Sequence, residues 1–213
     1  MAQFTQKKLI TLLAMCGFVS GAALLILYQA MTKVSADDLR NDGFFIYDAP
    51  IEVDPFSLVD HTGAVYTQQS LQGRWTLVFF GYTFCPDICP ITLASIRQFH
   101  DLLVDSGEDG EVQVVLVSVD PERDTQEVLS NYVTYFNPEF LGVRGEYAVT
   151  YTLARNMNVS FSYTRIDDDN YLVNHNGEVM LMDPDGNNVG FFKAPHNPQG
   201  MLDNFQAVKK FLD

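Results

Sequence analysis

Three residues separate Cys85 from Cys89 within the run Gly81-Tyr82-Thr83-Phe84-Cys85-Pro86-Asp87-Ile88-Cys89-Pro90. Two thiols at this spacing can close into a disulfide, or stand apart as two corners of a metal site. The run follows an apolar stretch and opens an amphipathic one, which puts Cys85 in a loop and Cys89 at a helix start. Pro90 suits a first helical turn, where a missing N–H costs little. The positive end of a helix dipole favours thiolate over thiol, which makes either sulfur a better nucleophile and a better metal ligand. The plainer alternative is a pair of buried cysteines, or a permanent disulfide, in an exported protein. Two prolines and Asp87 crowded at the junction argue against simple core filling. Asp87 itself could tune the sulfurs or cap the helix.

The second candidate is Asn174-His175-Asn176-Gly177. A lone loop histidine is more often solvated than ligating. With Cys85 and Cys89, His175 completes a Cys2His set suited to Cu(I), Cu(II) or Zn(II). His61 falls in a turn, His100 in an amphipathic helix and His196 after Pro195, and all three default to structure or solvent. Met180 and Met182 read as core packing. Asp167-Asp168-Asp169 reads as a solvated loop, and Trp75 as an apolar anchor.

These residues need elements to hold them. The continuous apolar run Thr76–Phe80 predicts a strand buried on both faces. A helix follows over about Pro90–Val104, with Leu93, Ile96, Phe99 and Leu103 at helical spacing. Val112–Val119 reads as a second buried strand. Asp124, with Glu127 three residues on, predicts a capping box for a helix ending near Phe136. A helix around Tyr147–Asn156 leads to a strand near Val159–Tyr163. Ahead of all these, Phe56–Val59 and Ala64–Tyr66 flank a glycine turn as a hairpin. Glu178–Met182 and Val189–Phe192 flank the Asp183-Pro184-Asp185-Gly186 turn, and Gln199–Leu212 is a final amphipathic helix. His175 then lies in a loop at the sheet edge. Strand–helix–strand–helix, a hairpin and a last helix make an α/β chain of thioredoxin-like order with an N-terminal hairpin extension.

The chain has 213 residues, 47% hydrophobic and 13% aromatic, enough for one domain with a real core. Its 13 basic against 27 acidic residues give a net charge of −14, which excludes gripping nucleic acid and suits cations or basic surfaces. Three cysteines are too few for a disulfide-stapled scaffold. No charge interrupts Leu9–Met31, whose length matches the ~20 residues of a membrane-spanning helix. A cleavable signal peptide has a shorter apolar region, so the span predicts an anchor, although Val34-Ser35-Ala36 resembles a cleavage site. Lys7 and Lys8 precede the span, which favours a cytoplasmic N-terminus and an exported remainder. Cys16 lies inside the span and reads as a packing residue. The expected organisation is a cytoplasmic 1–8, a transmembrane 9–31, a tether 32–43 and a folded domain 44–213. The setting is a bacterial inner membrane, with the domain in the periplasm.

The run Phe79–Pro90 resembles the signature of the Sco/SenC family of membrane-anchored copper proteins. Val117-Ser118-Val119-Asp120-Pro121-Glu122-Arg123-Asp124-Thr125 is similar to its second hallmark. Asp169–His175, followed by Met182–Gly186, resembles the third. The resemblance covers nearly all of the exported domain. It implies a thioredoxin-like fold that binds copper, Cu(I) or Cu(II), through Cys85, Cys89 and His175, with Cys85 and Cys89 also able to form a redox-active disulfide. It further implies a metallochaperone, not a turnover enzyme, that helps load the binuclear copper centre of cytochrome c oxidase. The implied partners are oxidase subunit II and an upstream copper donor; because an oxidising periplasm would close the two thiols into a disulfide that cannot bind metal, a periplasmic thioredoxin-like reductant is expected as well. The family commonly has Asp before the histidine and a hydroxyl residue after it; this chain has Asn174 and Asn176, which hydrogen-bond without charge.

The main rival reading is a thiol–disulfide oxidoreductase that reduces the oxidase cysteines. Thioredoxin-type reductases have two residues between their cysteines and a cis-proline opposite them, where this chain has three residues and Gly177. Their reaction also leaves His175 without a role. A thiol peroxidase lacks the usual spacing between Thr83 and Cys85. Zinc hydrolysis lacks an evident general base.

Overall fold

The computed structural model describes residues 35–212, apart from 42, 168 and 169. The expected segments 1–8 and 9–31, with Cys16, lie outside the described residues. Among those that are described, no helix is long and apolar enough to cross a membrane.

Burial on both faces makes β4 (Trp75–Gly81) the centre of the molecule, since all seven of its residues are buried. It runs parallel to β5 (Val112–Ser118), pairing Gly81 with Ser118, and antiparallel to β9 (Val179–Met182). Beyond β5 lies the parallel β6 (Leu141–Arg144), and beyond β9 the antiparallel β10 (Asn188–Phe192). Strand β1 (Phe44–Ile51) closes one edge against β10. The predicted hairpin, β2 (Ser57–Asp60) and β3 (Val65–Thr67), closes the other by pairing β2 with β6. The result is an eight-stranded mixed sheet in the order β1-β10-β9-β4-β5-β6-β2-β3. The hairpin is therefore the sheet's own margin. Strands β1 and β6 went unanticipated because each is only partly buried and carries no clean alternation.

Helix α1 (Ala36–Asn41) lies within the stretch read as a tether, and its Leu39 is buried. Helix α2 (Ile88–Ser106) buries Leu93, Ile96, Phe99 and Leu103 completely, as their spacing required. It begins two residues earlier than Pro90. Helices α3 (Gln126–Phe136) and α4 (Tyr147–Asn156) follow. The last helix, α5 (Pro198–Leu212), places Phe205 edge-on to both Trp75 and Phe99 at 5.6 and 6.0 Å. Met180 and Met182 are core residues, as expected.

Two local readings are corrected. Asp124 does not cap α3: Thr125 does, its side chain accepting from the Val128 amide at 3.3 Å. Nor is His175 in a loop. It ends β8 (Tyr171–His175), which pairs with β7 (Phe161–Arg165) in a separate two-stranded sheet, His175 opposite Phe161. The asparagines around His175 signal turns, but the cross-strand partner supplied by β7 overrides that preference.

Candidate metal centre

Strand β4 ends at Gly81, whose missing side chain is what seats the buried sulfur. A Cβ there would lie 3.0 Å from Cys89 Sγ and 3.1 Å from Leu116. The chain then turns, with the Cys85 amide donating to the Tyr82 carbonyl at 3.3 Å, before entering α2 at Ile88. Asp87 is the residue before the first helical turn, yet its side chain makes no capping bond. Cys89 is fully buried, while Cys85 is partly exposed; both are free thiols.

The β7–β8 hairpin brings His175 over this turn. Its Nε2 lies 3.1 Å from Cys89 Sγ and 3.9 Å from Cys85 Sγ, and the Cys89 amide donates to Cys85 Sγ at 3.4 Å. All three ligand atoms fall within 4.8 Å of one another, the only such cluster of three His, Cys, Asp or Glu side chains among the described residues. His175 Nδ1 donates to the Asn176 carbonyl at 2.7 Å. A carbonyl can only accept, so this bond places a proton on Nδ1 and turns Nε2, the nitrogen able to ligate a metal, toward the sulfurs. Phe79 and Tyr82 meet the imidazole edge-on at 5.7 and 5.8 Å and fix its plane.

The two thiols are driven apart in acidity. The Cys85 thiol is pulled down, chiefly by its hydrogen bond with Cys89 and also by nearby backbone amides. Burial pushes the Cys89 thiol up, and the negative charge at Cys85 adds to the effect. This is a partly exposed thiolate backed by a buried thiol, with Nε2 of His175 beside both sulfurs. Two thiolates and one imidazole form a soft set of donors that fits copper or zinc.

Behind the site, a second layer that sequence reasoning missed ties its parts together. Asp124 is completely buried and accepts from the Thr83 amide and hydroxyl at 3.1 and 2.6 Å and from the Ser118 hydroxyl at 2.6 Å. Arg123 lies over the rings of Tyr171, Phe84 and Tyr82 at 3.9, 5.3 and 5.6 Å. Its guanidinium also pairs with buried Asp120 and donates to the Tyr171 carbonyl at 3.1 Å. The cysteine turn and the histidine hairpin thus share one clasp. His196 donates from Nε2 to the Gly177 carbonyl at 2.7 Å, just past the histidine. The clue in the sequence was the run of polar and charged residues directly after a buried strand.

The remaining candidates separate from the site. His61 accepts from the Gly142 amide at 3.1 Å, and buried His100 contacts Asn137 and Glu139. Asn174 reaches across the hairpin to Thr164 at 2.7 Å, so the carbonyl of Asn176 is the group that orients the imidazole.

The family model described as SCO1/SenC matches residues 47–210. The mitochondrial SCO1 homolog 1 of Arabidopsis thaliana is 34% identical over 192 residues, 87% of this chain and 57% of that protein. The chain thus spans little more than half the length of that relative. The crystal structure of Arabidopsis thaliana ScoI with copper bound is 35% identical, with a TM-score of 0.69, covering 74% of this chain and 98% of that one. Bradyrhizobium japonicum ScoI with copper bound is 33% identical, with a TM-score of 0.66, covering 73% of this chain and 98% of that one. By the reach of the family match and the identity of these relatives, the chain belongs to the SCO1/SenC family.

Proposed function

We propose that this chain is a copper metallochaperone in which reduced Cys85, Cys89 and His175 bind one copper ion as cargo. The observation that carries this reading is the convergence of the three ligand atoms within 4.8 Å, with Nε2 turned toward the sulfurs by the bond from Nδ1 to Asn176. Copper-bound relatives at 33–35% identity support copper over zinc. Cargo must leave as well as enter. Cys85 is partly exposed, so an incoming thiolate can displace it first while Cys89 and His175 still hold the metal.

The destination proposed from the family resemblance is the binuclear copper centre in subunit II of cytochrome c oxidase. The domain works from the periplasmic face of a bacterial inner membrane, held there by the span 9–31 and supplied by an upstream copper donor. An oxidising periplasm would close Cys85 and Cys89 into a disulfide unable to bind metal, so the cycle needs a thioredoxin-like reductant.

One observation favours the second reading, thiol–disulfide exchange with the oxidase cysteines. The exposed, acidified Cys85 and the buried Cys89 have the asymmetry of an attacking and a resolving thiol. The test is copper content of the reduced full chain, prepared without air, beside Cys85→Ser, Cys89→Ser and His175→Ala. One copper per chain, lost in all three variants, supports the chaperone. Little copper, with disulfide exchange indifferent to His175→Ala, transfers the role to the reductase.

A further inference from the structure

The carboxylate of Asp124 joins β5 to the cysteine turn from a position with no exposure to solvent. Three hydrogens point at its two oxygens: the amide and hydroxyl of Thr83 on one and the hydroxyl of Ser118 on the other. Ser118 Oγ in turn accepts from the Asp120 amide at 3.1 Å, which leaves its own hydrogen for Asp124. Burial raises the Asp124 carboxyl, and the Thr83 and Ser118 donors oppose that rise by favouring its ionised form. Thr83 lies two residues before Cys85, and Ser118 pairs with Gly81, against which the Cys89 sulfur rests.

We propose that Asp124 is a positioning residue of the copper site that fastens the cysteine turn to β5, and that its buried negative charge makes the site prefer Cu(II) over Cu(I). The inference rests on the copper reading above. Two thiolates and a neutral imidazole around Cu(I) carry a net charge of −1, and around Cu(II) they are neutral. A fixed negative charge in a poorly screened interior disfavours the first state more than the second.

The substitutions Asp124→Asn and Asp124→Ala separate fastening from charge. Asparagine keeps an oxygen for both Thr83 donors, and the Ser118 oxygen can accept from its amide once the hydroxyl hydrogen turns away, so the turn stays fastened while the charge is lost. In the full chain, competition with Cu(I) and Cu(II) chelators gives the ratio of the two affinities. Asp124→Asn should still take up one copper and shift that ratio about tenfold toward Cu(I), a rise of about 59 mV in the one-electron potential. Hydrogen exchange at the Thr83 amide of the metal-free chain should quicken in Asp124→Ala and stay protected in Asp124→Asn. An unchanged affinity ratio in a copper-loaded Asp124→Asn chain would overturn the charge effect. Unchanged Thr83 exchange in Asp124→Ala would overturn the fastening. A parent chain that takes up no copper at all would defeat the copper reading, and the charge effect with it.

Discussion

His175 Nε2 lies closer to the sulfur of buried Cys89, at 3.1 Å, than to that of partly exposed Cys85, at 3.9 Å. The inner thiol and the imidazole form the fixed side of the site, and Cys85 forms its accessible side. The order of the two cysteines along the chain follows from this, since the one in the loop faces solvent and the one in the helix faces the core.

That asymmetry predicts selective alkylation. Cys85 should react with iodoacetamide well before Cys89, and its rate should stay nearly flat from pH 8 to pH 5. Its thiol is lowered to about 3, chiefly by the hydrogen bond from Cys89, so the thiolate persists throughout that range. An unperturbed thiol would slow about tenfold per pH unit below its pKa of about 8.5. Peptide mass spectrometry of the metal-free chain reads both sites, and a tenfold loss per unit at Cys85 would refute the assignment.

Gly177 and Ile88 should be coupled. A Cβ on residue 177 would lie 2.7 Å from Ile88 Cδ1, one residue from Cys89. Because the clash is with the end of an exposed, flexible side chain, Gly177→Ala is expected to destabilise the fold by about 0.5–1.5 kcal/mol, the cost of an off-rotamer Ile88. Adding Ile88→Ala removes the obstructing methyl and should recover most of that relative to Ile88→Ala alone. Urea unfolding of the four proteins gives the coupling; simple additivity would mean the two residues do not meet.

Arg123→Lys should loosen the histidine hairpin. Lysine keeps the charge but cannot lie flat on Tyr171 while pairing with Asp120 and reaching the Tyr171 carbonyl. The expected loss is about 1–2 kcal/mol, with faster amide exchange in β7 and β8 than in β4. Equal acceleration in the central strand would indicate general destabilisation instead.

His196 should make stability depend on mild acid. Burial lowers its pKa, against the pull of its bond to Gly177. A histidine that resists protonation when folded contributes fully above its unfolded pKa of about 6.5 and loses that contribution as the pH falls below it, because the unfolded chain takes up the proton. His196→Gln can keep a donor for Gly177 without titrating. The gap in melting temperature between parent and variant should therefore shift in the variant's favour between pH 7 and pH 5. A gap constant across that range would count against it.

Periodicity made the central elements legible. Thr76–Phe80 and Val112–Val119 read as buried strands because nothing polar breaks them, and α2, α4 and α5 follow their apolar spacing. The three residues of the proposed site stood out too, because cysteine and histidine are scarce and chemically distinctive. Asp124 was misread: Asp124 and Thr125 are both good capping residues, and their order in sequence does not say which one the chain turns inward.

The sequence by itself determined the chemistry available to this protein, two thiols at a strand-to-helix junction and an imidazole far along the chain, together with the apolar runs that build its core. Tertiary structure alone decided that the imidazole meets those thiols, that its Nε2 is the nitrogen facing them, and that Asp124, Arg123 and His196 hold the parts in place. The reason is physical. Local pattern specifies which residues seek burial, whereas contacts between residues 86 apart, such as Cys89 and His175, depend on how strands pair across the sheet and how a hairpin folds back over it.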